Sequence, residues 1–432
     1  MALLKVLTRY CLVGGLAAAI HLLLLIGLAR LGLPVPLANL TGYLAALLWG
    51  YLMHALLTFR NQTEGERFPR RWLLLQVLIN LSLSVGLPQL LPELAVHAIG
   101  LGLLVFTPTA VNALVWWLAA EHVRSLRCGD RIEASALQFH ADDLGLCRAV
   151  NLSIFALADR GLLQGTSVML NGVALDDAIE GLRQRPQLNL VLHLVLTEGP
   201  PLADPCAIPS LLDHQGQLQV GIAQLLLLSL WPRRWDWPAL RQQRYELRHE
   251  IHCQLKRFQE LWPQRPLQLD GHQHVHLMPV VWNQLMAYSG EQPIAWIRTV
   301  DEPIPVGLTL QAWWAVVCGG GWLKWLLLVG LSRCQRDTLM SRGISTNRWF
   351  AGVLCTGRMG RESLKASVRS LRASQLDCPQ KPALVLLHPA LPLRHPEDLK
   401  AFGKSQGFYR SSWRQLEAQA LESGPEWMRL MK

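Results

Sequence analysis

Four apolar runs, at about residues 8–32, 34–58, 72–92 and 94–120, open the chain. Each is near the roughly 20 residues a helix needs to cross about 30 Å of hydrocarbon. Residues 1–125 hold eight Lys/Arg and four Asp/Glu, and the rest of the 432-residue chain holds 33 and 27. A membrane part is therefore expected ahead of a more ordinary globular part. With 51% apolar and 17% charged residues, the chain has neither the low hydrophobicity of a disordered protein nor the charge of a fully soluble one.

Lys5 and Arg9 precede the first run, as in a signal peptide, but no convincing cleavage site follows and three more runs do, so an uncleaved helix is favoured. Basic residues set the orientation. They gather before run one (Lys5, Arg9), after run two (Arg60, Arg67, Arg70, Arg71) and after run four (Arg124, Arg127, Arg131). Both termini, and everything after residue 125, are expected on the cytoplasmic side of the inner membrane. The nine cysteines form no CxxC pair and read as reduced thiols. His21, Asn39, Gln76, Asn80 and Asn112 lie at membrane depth, where polar groups bond between helices or line a substrate path. The net charge of +10 is spread beside apolar stretches, with no nucleic-acid-binding module, so membrane lipid and not nucleic acid is the expected partner.

After residue 133 short apolar runs alternate with helical patterns. Strands are expected at 135–140, 165–170, 188–195, 267–276, 294–300 and 383–388, and helices at 150–160, 175–185, 241–261, 280–288 and 411–422. Such alternation implies parallel βαβ units, whose chemistry gathers at the carboxyl ends of strands. Ionisable groups collect there: Asp142 and Asp143, His193, the run from Asp270 to His276, and His388.

On an extended strand His272, His274 and His276 would all point one way. Two imidazoles and a carboxylate suit a divalent metal with open positions. The neighbouring Asp142 and Asp143 would point to opposite sides, one free to ligate and the other to act as base. His388 is placed to protonate a leaving amine. The sum is metal-assisted hydrolysis of an amide or ester.

Two resemblances extend this. Residues 5–122, with Arg9-Tyr-Cys-Leu-Val-Gly-Gly15, Ala38-Asn-Leu-Thr-Gly-Tyr43 and Thr58-Phe-Arg60, resemble the GtrA-like four-span membrane proteins. That resemblance implies a role in moving polyprenyl-phosphate-linked sugars. Residues 134–425 resemble the YdjC-like carbohydrate deacetylases, which include the chitooligosaccharide deacetylases and the HpnK branch. The matching segments are Ala141-Asp-Asp-Leu-Gly145, Gly165-Thr-Ser-Val-Met-Leu-Asn-Gly172, Leu192-His-Leu-Val-Leu-Thr-Glu-Gly-Pro-Pro-Leu202, Asp270-Gly-His-Gln-His-Val-His276 and His388-Pro389. This second resemblance implies a distorted (β/α) barrel of the polysaccharide-deacetylase type. It implies removal of N-acetyl groups from amino sugars with a divalent metal, Mg or Zn. By position Asp143, His193 and His272 match the metal ligands, Asp142 the base and His388 the acid; His274, His276 and Arg298 would line the sugar pocket. The family usually has Phe at Leu144, often Asn at His140, and Gly at Ala390. None of these departures removes a ligand.

The expected architecture is a four-span α-helical membrane domain (1–122), a linker (123–133) and an α/β deacetylase domain (134–432). The substrate would be an N-acylated amino sugar or glycolipid, carried on a polyprenyl phosphate. Trp-bearing apolar stretches at 224–237, with Arg233 and Arg234, and at 308–332, with Lys324 inside and Arg333 beside it, read as insertions lying on the bilayer, or as core helices. A homo-oligomer is left open. The alternative reading is a flippase-like transporter whose barrel binds sugar without catalysis.

Overall fold

The computed structural model describes residues 2–60, 67–90, 111–120, 123, 137–231, 237–305, 307–375, 382–393, 399, 402 and 405–424. The chain divides into two compact units, Met1–Cys128 and Gly129–Lys432. Apart from Val123, the expected linker lies outside the described residues.

The first unit is helical. Helix α1 (Ala2–Arg30) and helix α2 (Val35–Met53), which continues through a π turn at His54–Thr58, pack closely. Gly42 makes the approach possible: a Cβ there would sit 2.7 Å from the His21 backbone oxygen. Helices α3 (Arg70–Leu90) and α4 (Val111–Ala120) follow. An aromatic cluster of Tyr51, Phe59, Phe68 and Trp116 gathers these segments, with Phe68 stacked on Trp116 at 5.1 Å. Among the described residues two stretches, Thr8–Arg30 and Leu40–Thr58, are long and apolar enough to cross a membrane. The third expected span coincides with α3, which falls short of that apolarity. Of the fourth, only α4 is described. The buried side-chain oxygens of Gln76, Asn80 and Asn112 have no hydrogen-bond partner among the described residues.

The second unit is built on seven parallel strands: β1 (Leu137–Leu144), β2 (Gly165–Val168), β3 (Asn189–Leu194), β4 (Gln268–Gly271), β5 (Trp296–Ile297), β6 (Trp349–Ala351) and β7 (Ala383–Leu387). Their order is β5-β4-β3-β2-β1-β7-β6. Strands β3 and β7 are nearly continuous apolar runs, as expected of a sheet covered by helices. The sheet curls until its edges meet: Ser345 bridges to Trp296, and the Asn347 side chain bonds the backbone N–H and carbonyl of Thr299. The result is a distorted barrel with its core among the crossover helices.

Those helices are α5 (Arg148–Asp159), α6 (Leu175–Arg183), α7 (Ile222–Leu230), α8 (Pro238–Leu261), α9 (Pro279–Tyr288), α10 (Leu310–Cys318), α11 (Gly321–Ser341), α12 (Arg361–Gln375), α13 (Gln406–Tyr409) and α14 (Trp413–Glu422). Helix α8 buries three polar side chains, and each has a structural task. Gln254 clamps the backbone of Val195, Glu250 accepts the N–H groups of Leu202 and Ala203, and Glu246 accepts that of Ser210. Together they fix the loop after β3. The apolar stretch at 308–332 proves to be α10 and the start of α11, bent by 75° where they join. The far half of α11 packs into the barrel core through Leu328 and Leu339, so this stretch does not form a straight span.

Candidate active site

The site begins with an irregularity in β1. Its register against β2 shifts between Ala141 and Leu144, and Asp143 adopts a left-handed φ of 69°. Aspartate tolerates that conformation better than most residues. The turn of the backbone brings both carboxylates to one side, which corrects the expectation that they oppose each other. Asp142 Oδ2 lies 3.9 Å and Asp143 Oδ1 3.6 Å from His193 Nε2.

Asp143, His193 and His272 each offer one ligand atom, and these atoms lie within 4.8 Å of one another. His272 Nδ1 is 3.6 Å from Asp143 Oδ1. That oxygen is buried and has no hydrogen-bond partner among the described residues, although Asp143 Oδ2 accepts from Arg414 at 2.9 Å. Each imidazole is oriented from behind by a carboxylate. Asp270 Oδ1 holds His193 Nδ1 at 2.6 Å, and Glu198 Oε1 holds His272 Nε2 at 2.7 Å. Glu198 is itself held by Ser405 and by the Tyr409 hydroxyl. This carboxylate–histidine pairing is how proteins aim imidazoles at a metal. An orphaned carboxylate oxygen facing two aimed ring nitrogens fits a divalent cation. Burial disfavours charge on His272, but Asp143 and Glu198 on either side outweigh it and push the ring up to about 9. Burial likewise opposes the Asp143 charge, and Arg414 holds that carboxyl well below its ordinary range.

Beside this trio lies a second buried group. Arg298, fully enclosed, makes two parallel bonds to Asp142, Nη1 to Oδ2 at 2.8 Å and Nη2 to Oδ1 at 2.7 Å. Its Nη2 also pairs with Asp270 Oδ2, which accepts from the Ser167 hydroxyl. His140 Nε2 meets that hydroxyl at 2.6 Å. Burial would raise both carboxyls, yet Arg298 outweighs it and keeps both below their ordinary range. His140, Asp142 and Asp270 also stand close enough to hold an ion. Arg298 already supplies the positive charge there, so the trio of Asp143, His193 and His272 is the better candidate for a metal.

Two expectations need correction. Strand β4 ends at Gly271, and a 3₁₀ segment, His272–Leu277, replaces the extended run. Gln273 and His274 have φ of 53° and 63°, so the three histidines do not share a direction. His276 turns away and meets the Arg298 carbonyl oxygen at 3.0 Å, and His274 packs edge-on to Phe350. Both rings are buried, and burial lowers their pKa, His276 to about 4. The Arg298 guanidinium is likewise enclosed, committed to Asp142 and Asp270.

His388 follows β7, whose Leu387 pairs with Ala141 beside the two aspartates. Its backbone N–H donates to Glu417 at 2.6 Å, and its ring packs edge-on to Phe408. The side chain keeps 12% exposure, and burial lowers its pKa to about 4. The sequence places Asp270 at a strand end and carries Glu198 within the segment 192–202, without giving either a task. Sequence reasoning missed Ser167, Arg414 and Tyr409; the last two reach the site from helices more than 100 residues beyond β4.

Residues 136–431 match the family model for YdjC-like proteins. The chain belongs to the YdjC-like family. Residues 9–123 match the GtrA/DPMS transmembrane domain, so this YdjC-like domain is joined to a membrane domain. The chitooligosaccharide deacetylase of Klebsiella pneumoniae (strain 342) is 32% identical over 178 residues, 40% of this chain and 63% of that protein. That of Yersinia pestis (strain Pestoides F) is 32% identical over 175 residues, 40% and 62% of the two chains. The chain thus spans slightly less than two thirds of these relatives' length. A solved structure from Enterococcus faecalis V583, named for cellobiose-phosphate cleavage, overlays with a TM-score of 0.41 and 17% identity, covering 68% of this chain and 94% of its own.

Proposed function

We propose that this YdjC-like protein is a metal-dependent carbohydrate deacetylase acting on an N-acylated amino sugar. One observation carries the reading: an Asp143 oxygen with no hydrogen-bond partner among the described residues faces two histidines that carboxylates aim at it. The similarity to chitooligosaccharide deacetylases supports the sugar amide as substrate. The attached GtrA/DPMS domain supports a lipid-linked sugar, and the basic residues flanking the apolar runs support handling at the cytoplasmic membrane face. In this reading residues 1–122 form the membrane domain, 123–133 the linker and 134–432 the enzyme.

Asp143, His193 and His272 would hold the divalent ion, Mg or Zn. A cation there polarises an acyl carbonyl and makes water more acidic. Asp142 accepts the proton of the attacking water, with Arg298 fixing its carboxylate toward the reacting centre. His388, which burial keeps neutral at rest, would gain that proton and pass it to the departing nitrogen. The amide C–N bond breaks, leaving a carboxylate and a free amine.

The test is acetate release by the full chain and two variants. Asp142→Asn is expected to bind metal normally and lose at least 100-fold in kcat, and His272→Ala to lose metal and activity together. Full activity in either variant would overturn the assignment.

A further inference from the structure

We infer that the α10–α11 hairpin is a bilayer-docking element that takes up one anionic phospholipid. The two helices together are long and apolar enough to cross a membrane, but they bend by 75° at Gly319 and Gly320. The far half of α11 is committed to the barrel: Ser332 Oγ accepts the Val300 N–H, and Gln335 donates to the Leu277 carbonyl. The elbow itself is left uncovered. Leu310, Trp314 and Val317 share one face of α10 and are 89%, 72% and 52% exposed. Across the bend, Leu323 and Leu326 are each 56% exposed. Exposed apolar surface of this kind marks an interaction site.

The opposite face of α10 roofs a cavity of about 620 Å³. Ala312 and Ala315 form the roof, and Trp413, Leu416 and Ala420 of α14 form a wall. That volume lies within the range of ligand sites, roughly 300–1,000 Å³. Arg358 and Arg361 stand at its lining, exposed to solvent, and neither forms an ion pair among the described residues. Glu362, the acid of the lining, is occupied by Lys365 at 3.3 Å. An apolar chamber with two uncommitted guanidiniums fits an acyl chain that ends in a phosphate. The chain supplies the reason for choosing a bilayer lipid. Its own GtrA/DPMS domain brings it to a membrane, and Trp with Arg beside apolar surface is the composition of interfacial segments. The lipid would seat its acyl chain under α10 and its phosphate on Arg358 and Arg361, while Leu310, Trp314 and Val317 meet neighbouring chains.

The experiment uses the full chain with its native cysteines replaced, reconstituted in vesicles of phosphatidylcholine alone or with phosphatidylglycerol. An environment-sensitive fluorophore is placed on Trp314→Cys, Leu323→Cys or, as a solvent-facing control, Arg183→Cys. Expected are blue-shifted emission and quenching by brominated acyl chains at 314 and 323 but not at 183, stronger with phosphatidylglycerol. Arg358→Gln with Arg361→Gln should erase the phosphatidylglycerol-dependent increment. Water-like emission at 314 and 323 in both vesicles would overturn the proposal. So would an increment unchanged in the double variant, or burial of these positions in a lipid-free dimer. None of these readouts depends on deacetylation, so failure of the catalytic reading would leave this test intact.

Discussion

At the scale of residues, the site is a set of carboxylates that differ only in their neighbours. Asp143 turns one oxygen toward two histidines, Asp142 is clamped by Arg298, and Asp270 bridges Arg298 and His193. Asp270→Asn removes the charge that orients His193. Metal affinity is expected to fall by about 10- to 100-fold, measured by competition with a chromogenic chelator; unchanged affinity would deny Asp270 that task. Arg298→Gln leaves Asp142 and Asp270 buried without their cation. A loss of roughly 3–5 kcal/mol in stability is expected, visible as a lowered Tm. The aspartate pair, His193, His272 and His388 were legible in the sequence because each ends or follows a run of strand-forming residues. Period-two reasoning failed for His274 and His276, since two left-handed residues break the strand just where the pattern was applied. Arg414 and Tyr409 left no local signal; a residue that reaches a site from a distant helix is specified by tertiary packing alone.

At the scale of elements, the turn after β1 depends on a close backbone approach. A Cβ at Gly172 would stand 2.1 Å from the Gly145 carbonyl oxygen, and Gly145 is tied by its N–H to Asn151 at 2.7 Å. Gly172→Ala is therefore expected to cost about 1–3 kcal/mol, again read from Tm. Glu302, enclosed beside β6, accepts the N–H groups of Gly352, Val353 and Leu354. Burial nevertheless pushes its carboxyl from 4.5 up to about 7. The fold then binds the proton more tightly than the unfolded chain. Its contribution is full below pH 4.5 and is lost as pH rises through 7, a difference of roughly 3 kcal/mol. Glu302→Gln should flatten this part of the stability profile between pH 5 and 8; a slope equal to that of the unmodified protein would contradict it. The longer strands and the long helix α8 were readable from apolar periodicity. The three-residue β6 was not, because its place comes from pairing with β7 and not from any pattern of its own.

At the scale of the whole molecule, charge distribution alone separated the membrane part from the globular part, and the two compact units follow that contrast. Hydropathy could not say what the apolar stretch at 308–332 does, because a bent hairpin and a span have the same composition. The barrel's claim on Leu328 and Leu339 distinguishes them. The substrate proposal also belongs to this scale. If the membrane domain and the enzyme serve one molecule, a lipid-linked N-acetylated sugar should show at least a tenfold higher kcat/KM than the same sugar free in solution. Equal values would leave the membrane domain as an anchor.

The most direct test of the central claim is acetate release by the purified full chain from a panel of N-acetylated sugars, free and lipid-linked, before and after chelation and again after restoring Mg or Zn. The account predicts release that stops with chelator, returns with metal, and is absent in His193→Ala. Release indifferent to chelator, or none from any substrate by protein shown to hold its metal, would contradict it.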